Sequence, residues 1–209
     1  MKVSIHLMPK PGLNLVWALA IALLVAACKG DKPKQPNNGA VIGEAELKLQ
    51  YDSLYKTVMV AWDAMIADDD NKLFMMKRLL EEVSYTGNFN KSTYDSLTTQ
   101  IEALYQTRYT MQTMADSDLI DQYDSLSANT SQAIKAFAQN NPEFGNYPLM
   151  DELIIDISEA DNMVLLYRIK YDNAASDYNN FLATHQAFLN TLNYKQAPTK
   201  KALFTLQSE

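Results

Sequence analysis

Apolar side chains recur every three or four residues over most of the chain from residue 44 onward. This is the period of an amphipathic α-helix, whereas a half-buried β-strand would alternate strictly. The most regular stretch alternates between spacings of four and three without a shift in phase. Its members are Leu153, Ile157, Ala160, Val164, Tyr167, Tyr171, Ala174, Tyr178, Phe181, His185, Phe188 and Leu192. The run predicts one helix roughly 60 Å long at 1.5 Å per residue.

The length of this last helix determines the expected fold class. A helix of that length needs partners along its whole apolar face, and the earlier apolar segments supply them if they fold back. We therefore expect an all-α fold, an antiparallel up-and-down helical bundle of three to five helices with one long C-terminal helix. The heptad period favours shallow crossings between those helices.

Helix boundaries are expected where the apolar period meets turn and capping residues. The pair Gly87-Asn88 ends one helix, and residues 140–148 form the clearest loop. Ser92 or Thr93 is the expected cap of the next helix, which carries apolar positions as far as Met111.

Two acidic clusters interrupt the apolar pattern. Residues 68–71, with the sequence Asp-Asp-Asp-Asn, are interpreted as a helix cap in a turn. They lack the alternating acids, the glycine and the distant glutamate of a calcium-binding loop. A weaker break is expected near residues 116–118. The sequence leaves open whether the helices at these two places are broken or only bent.

The first 27 residues have the pattern of an export signal. Lys2 and Lys10 precede an uncharged run, residues 13–27, which is short for a membrane-spanning helix. The run ends in Val-Ala-Ala followed by Cys28, which resembles the lipobox of bacterial lipoproteins. There the cysteine thiol receives a diacylglycerol and the signal is cut before it. Cys28 is the only cysteine of the chain, so we expect lipidation at Cys28. An uncleaved signal anchor is the alternative.

The remaining chain divides into three expected parts. Residues 28–43 are the lipidated N-terminus and a flexible tether, residues 44–194 the helical bundle domain, and residues 195–209 a loose C-terminal tail. Lys29 stands where an aspartate would retain a lipoprotein in the inner membrane of enterobacteria. We therefore expect a lipid-anchored protein of the cell envelope, in the outer membrane rather than the inner one.

The amino-acid composition argues against several classes of function. The chain has 209 residues, 47% of them apolar, and a formal net charge of −7 from 18 basic and 25 acidic residues. It lacks the clustered Lys and Arg that attract phosphates, so no nucleic-acid partner is expected. Leu182 stands where a bundle di-metal site needs a glutamate three residues before His185. His185 is therefore interpreted as an interior or helix-end histidine. No metal, no cofactor, no catalytic residue and no enzymatic activity are expected.

Polar and aromatic residues follow the last helix at fixed spacings: an acid-Asn pair, an Arg, and two tyrosines seven apart, each followed by Asp or Asn. They are Asp161, Asn162, Arg168, Tyr171, Asp172, Tyr178 and Asn179. Together with residues 51–54 and 61–63, this pattern resembles the LemA family of bacterial envelope proteins over about residues 49–182. The resemblance implies a membrane-anchored antiparallel helical bundle and no catalytic residues. The family's arginine pair, its Asp-Leu-Ile-Pro-Asn-Leu run and its closing Phe-Pro are absent.

Packing gives a physical reason for part of this motif. Tyr171 and Tyr178 face the same partner, and their hydroxyls need acceptors when the rings are buried. Asp172 and Asn179 lie at the edge of the seam, and Arg168 precedes Asp172 by one turn, a spacing at which the two can pair. We interpret the motif as structural, and a ligand-recognising edge is the alternative.

The tetrapeptide Tyr-Asp-Ser-Leu occurs three times without a fixed period. Its Tyr and Leu are expected to face the core and its Asp and Ser to face water. Asp-Ser-Leu also resembles the O-glycosylation acceptor of Bacteroidota. The candidate acceptors are Ser53, Ser96 and Ser125.

These observations favour a LemA-like envelope lipoprotein without enzymatic activity. We expect a structural or protein-interaction module, with a protein partner or self-association in addition to the membrane anchor. The alternative is a ligand-binding lipoprotein with a Tyr/Met-lined pocket between helices. An interaction module should expose an apolar stripe, whereas a binder should enclose a pocket with convergent polar groups.

Overall fold

The protein is described by a computed structural model over residues 43–191 and 198–204. This part contains five α-helices, one short 3₁₀ helix and no strand. In chain order the elements are α1 Glu44–Tyr85, α2 Lys91–Thr107, α3 Ser117–Gln139, the 3₁₀ helix Phe144–Asn146, α4 Pro148–Thr184 and α5 Gln186–Leu189. The expected all-α bundle with a long C-terminal helix is confirmed. The predicted signal peptide, Cys28 and almost all of the tether lie outside the described residues.

The two longest helices, α1 and α4, form an antiparallel pair. The Tyr51 ring lies 5.8 Å from the Tyr178 ring near the start of α1. Further along α1, Lys72 Nζ lies 3.6 Å from an Asp161 carboxylate oxygen. Of these two contacts, the one at the higher residue number in α1 has the lower residue number in α4, so the two helices run in opposite directions.

Helices α2 and α3 cover only the second half of α1. Lys72 on α1 donates to Ser127 on α3, and Gln100 on α2 accepts from Thr130 on α3. Arg168 on α4 pairs with α3 as well. The bundle therefore has four helices at one end, while at the other end α1 and α4 lie side by side.

The apolar seam of α4 is buried against α1 at both ends. The largest fully buried side chains of the described residues are Val58, Leu73, Met76, Leu79, Leu80, Leu104, Met114, Ile134, Met150, Ile157, Tyr171 and Tyr178. In the middle of the seam, Val164 and Tyr167 are only half-buried. This gap in the core faces the middle of α3.

The expected helix cap at residues 68–71 is wrong, because α1 runs unbroken through these residues. The buried positions Trp62, Met65, Leu73 and Met76 keep one helical phase across the acids, which is the sequence signal for continuity. The low helix propensity of Asp and Asn costs under about 1 kcal/mol per residue. Packing on both sides of the acidic cluster outweighs that cost.

The other boundaries agree with expectation, with two corrections. Gly87 has φ of 69°, the left-handed conformation of a residue that follows a helix end. The cap of α2 is Asn90, whose side chain accepts from the Thr93 N–H at 2.9 Å, so neither Ser92 nor Thr93 is the cap. Helix α2 ends at Thr107, before Met111.

The break near residues 116–118 is confirmed. Asp116 caps α3 by accepting from the Asp118 N–H at 3.0 Å. The loop between α3 and α4 is confirmed too, and the 3₁₀ helix lies within it.

The predicted seam does not continue to Leu192 as one helix, since α4 ends at Thr184. His185 is the C-cap, its ring stacks on Phe181 with centroids 4.4 Å apart, and its Nδ1 lies 3.1 Å from the Phe181 carbonyl. Of the two interpretations, an interior or a helix-end histidine, the structure shows the helix-end one. Leu192 itself lies outside the described residues.

The expectation of a loose C-terminal tail is wrong for residues 198–204, which we call the C-terminal strap. Ala202, Leu203 and Phe204 pack against the core. The strap lies along the α1–α4 pair, at the end of the bundle that α2 and α3 leave uncovered.

Candidate functional site

A cavity of about 460 Å³ lies at the gap in the α4 seam, between the middles of α1, α3 and α4 and the segment after α2. Its apolar wall includes Met65, Ile66 and Val164, and Tyr167 adds an aromatic ring. Its charged wall consists of Asp68, Asp69, Asp124, Asp161, Lys72, Arg108, Lys135 and Arg168. Four carboxylates thus face four cations, and the formal charge of the lining is zero.

Lys72 is the most deeply buried cation of this wall, with its side chain 4% exposed. Its Nζ donates to Ser127 Oγ at 2.8 Å and lies 3.6 Å from carboxylate oxygens of both Asp69 and Asp161. Asp161 in turn accepts from Ser131 at 2.9 Å. The ammonium is therefore held between α1, α3 and α4 by partners from all three helices.

Arg108 closes the side of the cavity next to α2. Its Nη1 lies 2.8 Å from Asp69 and 2.7 Å from Asp70, and the Tyr123 hydroxyl also donates to Asp69. Burial lowers the pKa of Arg108, but hydrogen bonds to Asp70 and Asp69 outweigh burial and raise it. Burial and the Asp69 charge raise the pKa of Tyr123. Arg108 therefore stays protonated and Tyr123 stays neutral at neutral pH.

Arg168 connects the cavity to the C-terminal strap. Two of its nitrogens donate to the Asp124 carboxylate at 2.7 and 2.6 Å, and one donates to the Tyr109 hydroxyl at 3.1 Å. Its guanidinium carbon lies 4.8 Å from the centre of the Phe204 ring. Burial lowers the pKa of Arg168, and the bonds to Asp124 more than reverse this. Its Nε is buried without a hydrogen-bond partner among the described residues.

Asp68 is the carboxylate of the wall that makes no hydrogen bond with another described residue. Burial raises its pKa, and the attraction of Lys72 offsets this only in part. A carboxylate in such a position can accept a hydrogen bond from a ligand without breaking an existing contact. The cavity thus offers an available acceptor on α1.

The motif on the last helix divides between two places. Asp161 and Arg168 line the cavity, while the Asn162 side chain is exposed. The expected ion pair between Arg168 and Asp172 is wrong: Arg168 pairs with Asp124 across the bundle, and Asp172 accepts from the Phe204 N–H at 2.9 Å.

The other motif residues hold the C-terminal strap. The Tyr171 hydroxyl donates to the Ala202 carbonyl at 3.2 Å. The Asn179 amide donates to the Lys201 carbonyl and accepts from the Lys201 N–H, both at 2.8 Å. Tyr178 is 1% exposed in the core beneath them. At these positions the motif residues hold the end of the chain, while the rings of Tyr171 and Tyr178 also pack against Trp62 and Tyr51 of α1.

Sequence reasoning missed Lys72, Arg108, Ser127 and Lys135 as residues of the site. A signal was present for Lys72, which directly precedes a core leucine and lies one turn from two acids. For Arg108 no signal was present, because its partners are 38 and 39 residues away on another helix.

The three candidate glycosylation serines, Ser53, Ser96 and Ser125, are all exposed on helix surfaces. Their expected outward orientation is confirmed, while glycosylation stays a prediction. Within residues 43–191 and 198–204, no group of three His, Cys, Asp or Glu side chains is placed to hold a metal ion. Nor does any helix of this part combine the length and apolarity needed to cross a membrane.

Comparison of the chain with protein-family models, with curated proteins and with solved structures finds no match. The resemblance to the LemA family and to the lipobox therefore stays a prediction.

Proposed function

We propose that the bundle binds a small polar ligand in the cavity between α1, α3 and α4 and is not an enzyme. The observation that carries the proposal is the convergence of charged and hydroxyl groups from three helices on a cavity of about 460 Å³. Specific small-molecule sites have this size and combine apolar walls with a few placed polar groups. The lining includes one methionine and three tyrosines, Met65, Tyr109, Tyr123 and Tyr167, next to the ion pairs.

The lining favours a ligand without net charge that carries both hydrogen-bond donors and acceptors. Four carboxylates and four cations cancel, so a strongly anionic or cationic molecule gains little long-range attraction. Asp68 accepts from an amine or hydroxyl of the ligand. Lys72 and Lys135 donate to a carboxylate or hydroxyl. Amino acids, short peptides and amino sugars have this chemistry.

Thermal unfolding of the full chain with a panel of amino acids, dipeptides and amino sugars tests the proposal. At least one compound should raise the Tm, because a ligand that binds only the folded state stabilises it. Asp68→Asn should weaken that effect. The matched control is Asp156→Asn on an exposed position of α4. A panel without effect, together with a bare protein mass by native mass spectrometry, would speak against the cavity as a binding site.

We further propose that this bundle is carried on an envelope lipoprotein anchored through Cys28. The support is the sequence pattern of residues 1–28 and the start of α1 at Glu44, directly after the tether. Cell fractionation should find the wild-type chain with the outer membrane and Cys28→Ala released from it. Intact mass after signal removal separates peptide plus lipid from a product glycosylated at the candidate serines.

A second candidate function is protein interaction. It is favoured by apolar side chains on the outer face of α4, where Ile155, Leu165, Leu166 and Ile169 are 52, 68, 41 and 45% exposed. Exposed apolar patches of this kind mark contact surfaces. Crosslinking in intact cells, with Cys28→Ala as control, tests for a dominant envelope partner.

A further inference from the structure

The two arginines of the cavity wall make short bonds to carboxylates. Arg108 Nη1 lies 2.8 Å from Asp69 and 2.7 Å from Asp70. Two Arg168 nitrogens donate to Asp124 at 2.7 and 2.6 Å. These are the distances of strong charge-assisted hydrogen bonds. A ligand would have to break them to bind either guanidinium, so the arginine pairs build the wall of the cavity.

The two lysines of the wall are held more loosely. Lys72 Nζ has one short contact, 2.8 Å to Ser127 Oγ, and both of its carboxylate partners are 3.6 Å away. Lys135 Nζ lies 3.3 Å from both Ser158 Oγ and an Asp161 oxygen. Charge-assisted bonds between an ammonium and a carboxylate are usually no longer than about 2.9 Å. Each ammonium can therefore donate to a ligand carboxylate without losing a short ion pair.

The available acceptor of the wall lies next to these donors. Asp68 is one turn before Lys72 on α1, a spacing that places the two Cβ atoms about 5 to 6 Å apart. The Lys72 charge lowers the pKa of Asp68, although burial raises it more, and both side chains line the cavity. A free α-amino acid carries its ammonium and its carboxylate on one carbon, through bonds of about 1.5 Å. One such molecule can therefore reach both side chains.

The other compounds with donors and acceptors match this arrangement less well. In a dipeptide, an additional residue of up to about 3.6 Å separates the two charged groups. An amino sugar has no carboxylate to accept from Lys72 and Lys135. The cavity of about 460 Å³ leaves room for a large side chain. The wall available to that side chain is apolar and includes Met65, Ile66, Val164 and the Tyr167 ring.

We propose that the ligand of the cavity is a free α-amino acid with a large apolar side chain. Its ammonium donates to Asp68, and its carboxylate accepts from Lys72 and Lys135. Its side chain lies against the apolar wall. This ligand class rests on the binding function proposed above and narrows it to one kind of molecule.

Titration calorimetry of the full chain in detergent tests the ligand class. The probes are L-leucine, L-methionine and L-phenylalanine, and the comparison compounds are glycine, leucyl-leucine and glucosamine. At least one of the three probes should bind more tightly than every comparison compound. The amide of that amino acid lacks the carboxylate, and its N-acetyl derivative lacks the ammonium. Each derivative should bind about 10-fold more weakly, because one charged contact is lost.

Two variants assign the two ends of the ligand. Asp68→Asn should weaken binding of the amino acid about 10-fold but leave the N-acetyl derivative unchanged, because that derivative has no ammonium. Lys135→Met should weaken binding of the amino acid several-fold but leave the amide unchanged. The retained binding of one derivative shows that each variant is folded. Asp156→Asn and Lys77→Met, at exposed positions, are the matched controls and should bind the amino acid as the wild type does.

The other outcomes separate the ligand class from the binding function. If a comparison compound binds more tightly than all three probes, the cavity is a binding site but the ligand class is wrong. The ligand class is also wrong if either derivative binds as tightly as its parent, or if Asp68→Asn weakens the parent and its N-acetyl derivative equally. If no compound of this set binds, the ligand class is wrong, and the binding function fails with it only when the thermal-unfolding panel is also without effect.

Discussion

Asn179→Ala should release the C-terminal strap while leaving the bundle folded. The wild-type side chain makes two hydrogen bonds to the Lys201 backbone, each 2.8 Å long and partly shielded from water. At about 1 kcal/mol per bond, their loss costs roughly 2 kcal/mol. That figure corresponds to about a 30-fold shift of the equilibrium between docked and released strap.

Amide hydrogen exchange measures this equilibrium residue by residue. The Lys201 N–H should exchange about 30-fold faster in the variant, if exchange occurs from the released strap. The Phe204 N–H should follow, because it is bound to Asp172 in the same strap. Amides in the middle of α4 should keep their rates, since the helix retains its own backbone bonds and its packing on α1.

Asn180→Ala is the matched control, because Asn180 is the exposed neighbour of Asn179 and its side chain makes no hydrogen bond to a described residue. It should leave the exchange of Lys201 unchanged. If Lys201 exchanges at the wild-type rate in Asn179→Ala as well, then the side-chain bonds do not hold the strap. If α4 amides exchange faster together with Lys201, the strap does not undock as a separate unit, and the prediction is wrong.

Three further predictions concern single positions. Burial and the neighbouring Asp172 charge raise the pKa of Tyr171 from 10 to about 12. The folded state therefore holds this proton more tightly than the unfolded state, and about 2 to 3 kcal/mol of stability is lost as pH rises from about 10 through 12. In Tyr171→Phe, the free energy of unfolding should fall less over this pH range, as measured by urea denaturation at several pH values. Asn71→Ala should stabilise the protein by about 0.5 kcal/mol in the same assay, because Asn71 is an exposed interior position of α1; a destabilisation of about 1 kcal/mol would indicate a cap instead. Gly87→Ala should cost about 1 kcal/mol in Tm-derived stability, because the φ of 69° disfavours a side chain, and an unchanged Tm would contradict this.

Local pattern was enough to predict much of the fold. The seam from Leu153 to Phe181 is part of one helix because a period of three and four places those side chains on one face. The acidic cluster on α1 was misinterpreted because local propensity was given more weight than the phase of Met65 and Leu73 on either side of it. The predicted end of α4 at Leu192 lies about two turns beyond its actual end at Thr184, since apolar positions after His185 keep the period although the helix itself stops.

By itself, the sequence determined the helical class, the antiparallel pairing of long helices and the outward orientation of Ser53, Ser96 and Ser125, because these follow from which face of a helix is apolar. Only the tertiary structure decided which charges meet. Asp69 binds partners 39 and 54 residues away, and Arg168 prefers Asp124 across the bundle to Asp172 on its own helix. Helical periodicity specifies the direction of a side chain but not the helix it will face. The cavity and the docked strap arise from that choice of neighbours.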